Sequence, residues 1–226
     1  THPWENRDPR FYKTIMFDGV KWRNTGGAGG TAELFTGGRE SEEANEKKGC
    51  FTAYMNSKLC PQLMNTFDGY KENNIMILSL MRLADVYLMY AEALNEKGED
   101  YATVLPWIDM VRERSGLQGV KESWDQYVGN SKYATQTGLR QIIMQERRIE
   151  LAFEGHYFWD VRRWKTATTE LTQPLTGWKV RYGETDVDYY SENLVLVRDF
   201  TPKMYFWPID IGELRKDPNL VQNYGW

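Results

Sequence analysis

The sequence predicts a mainly α protein, built from short helical hairpins and carrying a loop-rich shoulder with a few short strands. Three observations predict it. Apolar residues recur at i, i+3, i+4 and i+7 between Leu80 and Leu94, and again after a very short turn between Tyr101 and Val111. A third stripe of the same period runs from Leu139 to Phe153 and has two glutamates inside it. Outside this block, short extended runs alternate with glycine-rich or turn-rich stretches that have no helical period. The 226 residues suffice for one substantial core or two modest ones. They divide into 1–73, a strand and variable-loop region, 74–167, a helical scaffold, and 168–226, an irregular region with a C-terminal arm.

Along the chain, the opening NRDPRFYKTIMFDG reads as a turn feeding a strand. Phe11 and the run Lys13 to Phe17 have the β-branched and aromatic bias, and Asp18-Gly19 is a turn signal. Asn24 to Gly38 holds six glycines and no period, which predicts a flexible loop. Its GGAGG lacks the Lys-Ser/Thr and the helix start of a phosphate-binding loop, which argues against nucleotide binding. Leu80, Leu83, Ala84, Tyr87, Leu88, Ala91 and Leu94 then predict an amphipathic helix stopped by Gly98. A second helix carries Tyr101, Leu105, Ile108 and Val111 on one face and stops at Gly116, with Pro106 tolerable only near its start. Such a pair resembles one tetratricopeptide-like unit, which cannot bury both faces alone and needs stacked neighbours. The next helix spans about Gln136 to Glu154 and is broken by Gly155. A shorter one, His156 to Lys165, carries Phe158, Val161 and Trp164 on one side. Trp178 to Tyr182, Leu194 to Val197 and Phe206 to Ile209 read as extended pieces, Glu213 to Arg215 as a helical turn. Gln222 to Trp226 forms an arm with too much aromatic mass to float free.

Composition narrows the chemistry. A net charge of -4 with scattered Lys and Arg argues against nucleic acid as a partner. With only His2 and His156, and no Cys/His cluster at metal-ligand spacing, neither a metal nor another cofactor is expected. Cys50 and Cys60 would close a small loop in an oxidising compartment and be inert buried thiols in a reducing one. No run of 18 apolar residues occurs. The chain starts at Thr1 without a methionine, so a missing signal peptide says nothing about export. Nine Trp, fourteen Tyr and nine Phe are an excess over what helix cores use, which points some rings toward a surface. Aromatic faces suit sugar rings; filling irregular, loop-rich packing is the competing role for any single ring.

Glu146 and Glu150 pose the sharpest question, because they sit inside the apolar stripe of their helix. A carboxylate there costs on the order of 3 kcal/mol or more unless it is paired. Arg147, Arg148, Arg162 and Arg163 are the local supply of partners. Either a structural Glu/Arg network or a catalytic pair follows. Carboxylates one turn apart stand about 6 Å from each other, within the glycosidase range, yet on one helix they point the same way rather than across a substrate. Neighbouring Arg also lowers a carboxyl pKa, the reverse of what a general acid needs. The residues therefore favour a structural network of Glu146, Glu150, Arg147, Arg162 and Arg163, with no catalytic residue assigned. His156 with Asp160 lacks a nearby Ser or Cys nucleophile and reads as a packing histidine.

The segments ERRIELAFEGHYFWDVRRW (146–164), RLADVYLMYAEALNEKG (82–98), NRDPRF (6–11) and PNLVQNYGW (218–226) occur in this order. Together they resemble the C-terminal portion of the SusD/RagB family, the starch-utilisation-type nutrient-binding lipoproteins of Bacteroidetes-like bacteria. The resemblance covers nearly the whole chain and thins over roughly 21–48 and 168–199. It implies a non-enzymatic protein at the cell surface, lipid-anchored to the outer membrane through an N-terminal segment outside this chain. Such a protein captures an oligosaccharide or related nutrient and delivers it to a TonB-dependent, SusC-like transporter. It also implies an N-terminal helical half as a further partner. Ligand loops are not part of the family's motifs, so the ligand candidates come from this sequence alone. They are Trp4, Trp22 and Arg23 around the early strand, with Trp178 and Tyr182 in the second irregular region. The alternatives are a helical-repeat interaction scaffold without a small ligand and, ranked below it, a glycoside hydrolase.

Overall fold

Helices α2 (Leu83–Lys97) and α3 (Tyr101–Arg114) form the hairpin that the periodicity predicts. The computed structural model describes residues 3–21, 31–38, 40, 50–59, 79–180 and 190–226. Leu88 and Ala91 of α2 meet Val104, Leu105, Ile108 and Val111 of α3, all buried. Helix α5 (Gln136–Glu150) closes this core with Leu139, Ile142 and Ile143. The turn between α2 and α3 is built as its residues dictate. Gly98 takes φ 88°, and Glu99 N–H returns to the Leu94 carbonyl (3.1 Å), satisfying an end carbonyl of α2. Asp100 caps α3 by accepting the Thr103 N–H (2.9 Å). Pro106 lies inside α3 at an exposed position.

Some boundaries fall elsewhere than the periodicity predicts. Helix α2 starts at Leu83, and Leu80 stands 93% exposed before it. Helix α5 ends at Glu150, four residues early: Phe153 takes φ 64°, so the chain turns and carries Phe153 out of the stripe into solvent. Helix α6 (His156–Arg163) then starts from Gly155 at φ 84°. Between α3 and α5 the chain forms α4 (Val120–Ser123), a π-helical turn (Trp124–Val128) and a 3₁₀ turn (Lys132–Ala134). These are elements that no periodicity announces.

The shoulder is two small antiparallel sheets. Phe11–Thr14, expected within a strand, is a helical turn, α1. Then β1 (Ile15–Phe17) pairs with β2 (Tyr54–Asn56), Phe17 opposite Tyr54. Short helix α7 (Ala167–Glu170) precedes β3 (Leu175–Val180), which pairs with β4 (Tyr190–Leu196). The described end of the glycine-rich stretch is not a free loop: Ala32 and Leu34 are buried against Met16. A third cluster gathers Val161, Ala167 and Phe200. Residues 206–209 form no strand; a 3₁₀ turn (Pro202–Tyr205) leads through them to α8 (Ile211–Lys216). The C-terminal arm is held, as expected, by the Trp226 indole donating to the carbonyls of Lys203 (3.0 Å) and Phe206 (3.1 Å). Cys50 donates to the Tyr54 carbonyl (3.1 Å); Cys60 lies outside the described residues.

Candidate functional site

Glu146, Glu150 and Glu154 recur every fourth residue, at the end of α5 and in the turn after it, and every one of them is held by cations. Glu146 accepts from Arg10 (2.5 Å) and Arg112 (3.1 Å). Glu150 accepts from Arg10 (3.1 Å), Arg82 (2.6 Å) and Arg114. Glu154 accepts from Arg82 (2.7 and 2.8 Å) and pairs with Lys58 (2.5 Å). Both glutamates of the sequence reading are thus ion-paired, but to Arg10, Arg82, Arg112 and Arg114 rather than to the local Arg147, Arg162 and Arg163. The arginines of Glu146 and Glu150 come from 34 to 140 residues away.

Arg147 follows Glu146 by one position, so it faces about 100° around the helix and reaches another group. It binds Asp85 of α2 (2.8 Å) and Asp160 of α6 (2.9 Å). Arg163 joins Asp160 (2.9 Å) and Glu92 (2.5 Å). Arg162 belongs to neither set. It donates to the Met204 carbonyl (2.5 Å) and lies over the rings of Phe158, Phe200 and Trp207. With Asp160 engaged by Arg147 and Arg163, its carboxylate is a structural anchor rather than an orienter for His156.

These contacts decide the chemistry available to the glutamates. Burial by itself raises the pKa of Glu150, and the hydrogen bonds from Arg114, Arg82 and Arg10 overcome it and hold the carboxyl below its usual range. Glu154 is likewise held down, burial being outweighed by Arg82 and Lys58. A general acid requires the opposite displacement. Among the described residues no group of three or more His, Cys, Asp or Glu has a metal-binding arrangement.

The aromatic candidates behave differently. Trp4 is half-buried, its ring stacked on Phe17 (5.2 Å) and edge-on to Tyr190 (5.2 Å). Phe11 packs on Phe17 (5.5 Å) and Tyr54 (6.0 Å), and the Tyr12 hydroxyl donates to the Trp4 carbonyl (2.7 Å). Trp178 is half-buried on β3 and donates its backbone N–H to the Thr52 carbonyl (3.2 Å), two residues before β2. Burial pushes the Tyr54 hydroxyl pKa up, against the opposing influence of the nearby Trp178 side chain and the charge of Arg7. Gly177 permits this approach, since a Cβ there would stand 2.4 Å from Thr52 Cα. Trp4 and Trp178, remote in sequence, thus stand on the same shoulder, Trp4 against Phe17 of β1 and Tyr190 of β4, Trp178 on β3 beside β4.

Trp22, Arg23 and Tyr182 lie outside the described residues. Their described neighbours are on this shoulder: Lys21 bridges Thr31, and Val180 pairs with Tyr190 while accepting the Thr36 N–H (2.7 Å). Sequence reading missed Phe11, Phe17, Tyr54 and Tyr190, whose only signal was strand-like aromatic bias. Below the shoulder a cleft of 320 Å³ opens against α5, walled by Phe11, Ile15, Ile149 and Ala152, with Arg7 also lining it. That is near the lower bound of small-ligand sites, about 300 Å³.

Comparison with known proteins places this arrangement. The model of the SusD family matches residues 1–226. SusD-like protein P25 of Formosa agariphila is 40% identical over 155 residues, which is 69% of this chain and 24% of that protein. A solved SusD-like protein from Bacteroides fragilis is 28% identical with a TM-score of 0.78, over 99% of this chain and 39% of that one. A more distant fold neighbour is surface glycan-binding protein A from Bacteroides uniformis, 22% identical with a TM-score of 0.55, over 97% of this chain and 38% of that one. The chain therefore spans about a quarter of that curated relative and two-fifths of those solved ones. The match runs from the first residue to the last, and a solved member superimposes over almost the full length; this chain belongs to the SusD family.

Proposed function

We propose that this chain is the C-terminal portion of a surface protein that binds an oligosaccharide or related nutrient and hands it to a TonB-dependent outer-membrane transporter. The carrying observation is that Trp4 and Trp178, distant in sequence, stand on one aromatic shoulder that borders a cleft through Phe11. Half-buried rings fixed by their neighbours offer rigid faces for the C–H groups of a pyranose. Trp22, Arg23 and Tyr182 complete the proposed ligand set. Binding rather than glycoside hydrolysis is favoured because Glu146, Glu150 and Glu154 are taken up by guanidinium and ammonium groups. The exposed face of α2, with Leu83, Val86 and Tyr90 at helical spacing, fits the remaining N-terminal half of the same protein as a partner. A lipid anchor preceding this chain would hold the whole at the outer membrane.

The test is a glycan-array screen of the full-length protein, followed by calorimetric titration of the selected glycan. Trp178→Ala and Trp22→Ala are each expected to weaken binding by about 1 to 3 kcal/mol, the scale of a hot spot. Undiminished affinity in both variants would place the site elsewhere. Glycan turnover abolished by Glu150→Gln in a stably folded protein would replace the binding reading by an enzymatic one.

A further inference from the structure

Two of the cations on the carboxylates of α5 and of the turn after it come from the shoulder, not from the helices. Arg10 directly precedes α1, is 9% exposed, and spreads its guanidinium over Glu146 (2.5 Å), Glu150 (3.1 Å) and Asp8 (2.7 Å). Lys58, two residues past β2, donates to the Glu150 carbonyl (2.6 Å) and pairs with Glu154 (2.5 Å). Since α1 runs into β1 and β1 pairs with β2, these two side chains pin both strands of the first sheet to the end of α5. Arg82, Arg112 and Arg114 reach the same carboxylates from the scaffold.

What Arg10 holds is the aromatic platform. Phe11 is its neighbour in sequence and packs on Phe17 and Tyr54, while the next residue, Tyr12, bonds the Trp4 carbonyl. Ring-on-ring packing is weakly directional, and the buried core beneath it is small: Met16, Ala32 and Leu34. A guanidinium fork between carboxylates is strongly directional. We infer that Arg10 is a positioning residue for the proposed ligand platform: its bonds to Glu146 and Glu150 set where Phe11 and Trp4 stand relative to α5. This rests on reading the shoulder as the ligand site. The cleft between the shoulder and α5, lined by Arg10, Phe11 and Ile149, keeps its width by the same bonds.

The test compares Arg10→Lys with Arg112→Lys in the full-length protein. Both take a guanidinium from Glu146, and only Arg10 belongs to the shoulder. Two quantities are read well below unfolding: the dissociation constant for the glycan chosen by the array, and the indole NMR resonance of Trp4 in ligand-free protein, assigned with Trp4→Phe. Arg10→Lys is expected to weaken binding roughly tenfold, the scale at which network residues modulate a distant site, and to shift the Trp4 resonance. Arg112→Lys is expected to lower the melting temperature and leave both readings alone. Unchanged affinity and an unmoved Trp4 resonance in Arg10→Lys overturn the inference, as do equal effects in the two variants. If Trp178→Ala also binds like wild type, the shoulder reading fails, and the Trp4 resonance alone then decides positioning. Should Arg10→Lys not fold, Lys58→Gln cuts the other tie and is read in the same two ways.

Discussion

Glu150 receives guanidinium groups from Arg10, Arg82 and Arg114, while its backbone carbonyl accepts from Arg82 and Lys58. Burying such a charge is tolerable because both carboxylate oxygens accept from guanidinium groups, and the arrangement fails when one member is removed. Glu150→Gln is expected to cost about 1 to 4 kcal/mol in urea denaturation at neutral pH, since the charge that three arginines share is removed. Acidity tests the same group. Asp8, Glu150 and Glu154 have folded pKa values held below the ordinary carboxylate range by Arg10, by Arg114 and Arg82, and by Arg82 and Lys58, in each case against burial. Their stabilising contribution is complete above the ordinary glutamate value of 4.5 and is lost as pH falls through the lowered folded values. Asp109, raised by burial, works in the opposite direction. The urea midpoint should therefore fall on acidification below 4.5, and by less in Glu150→Gln; a flat profile would contradict this. Sequence identified the two glutamates because a charge in an apolar stripe demands partners. It did not identify the partners, because arginines adjacent in sequence point to other faces of the helix.

Helix ends repeat the lesson at the scale of the element. Gly98 and Gly155 were legible as a stop and a break because a glycine's conformational freedom acts locally, whereas the Asp100 cap was not singled out. The end of α5 was not legible, since nothing in LAFEG requires Phe153 to adopt φ 64°. Two substitutions probe what the elements need. Asp100→Ala removes the cap that accepts the Thr103 N–H and should lower stability by about 1 kcal/mol in thermal melts. Gly138→Ala would help an isolated helix by about 1 kcal/mol, yet at this position a Cβ falls 2.0 Å from the Lys132 carbonyl oxygen. It should destabilise α5, and a raised melting temperature would show that the 3₁₀ turn before α5 gives way freely.

For the molecule as a whole, α2 sets the terms. One side of it is buried through Ala84, Leu88 and Ala91, while Leu83 is 61% exposed and Val86, Met89 and Tyr90 are exposed beside it. Monomers rarely leave so much apolar surface contiguous. A single helical hairpin with one covering helix has this consequence, because stacked neighbours normally supply the other face. The isolated 226-residue chain is expected to self-associate, and Leu83→Glu with Tyr90→Glu should return it to monomer in light-scattering chromatography. Monomeric wild-type chain at high concentration would show that this face needs no cover.

The sequence by itself determined the helical hairpin, its glycine stops, the third helix and the requirement that Glu146 and Glu150 be paired, because each follows from periodicity or from local chemistry. It determined the family through four motifs in order. Tertiary structure alone decided which cations answer the glutamates and that Trp4 and Trp178 share one shoulder. It alone turned Thr31–Gly38, read as open loop, into part of a core through Ala32 and Leu34. The division has one physical reason. Backbone geometry is written in neighbours three or four residues apart, whereas ion pairs, ring contacts and clefts are made by residues that meet only after the chain has folded.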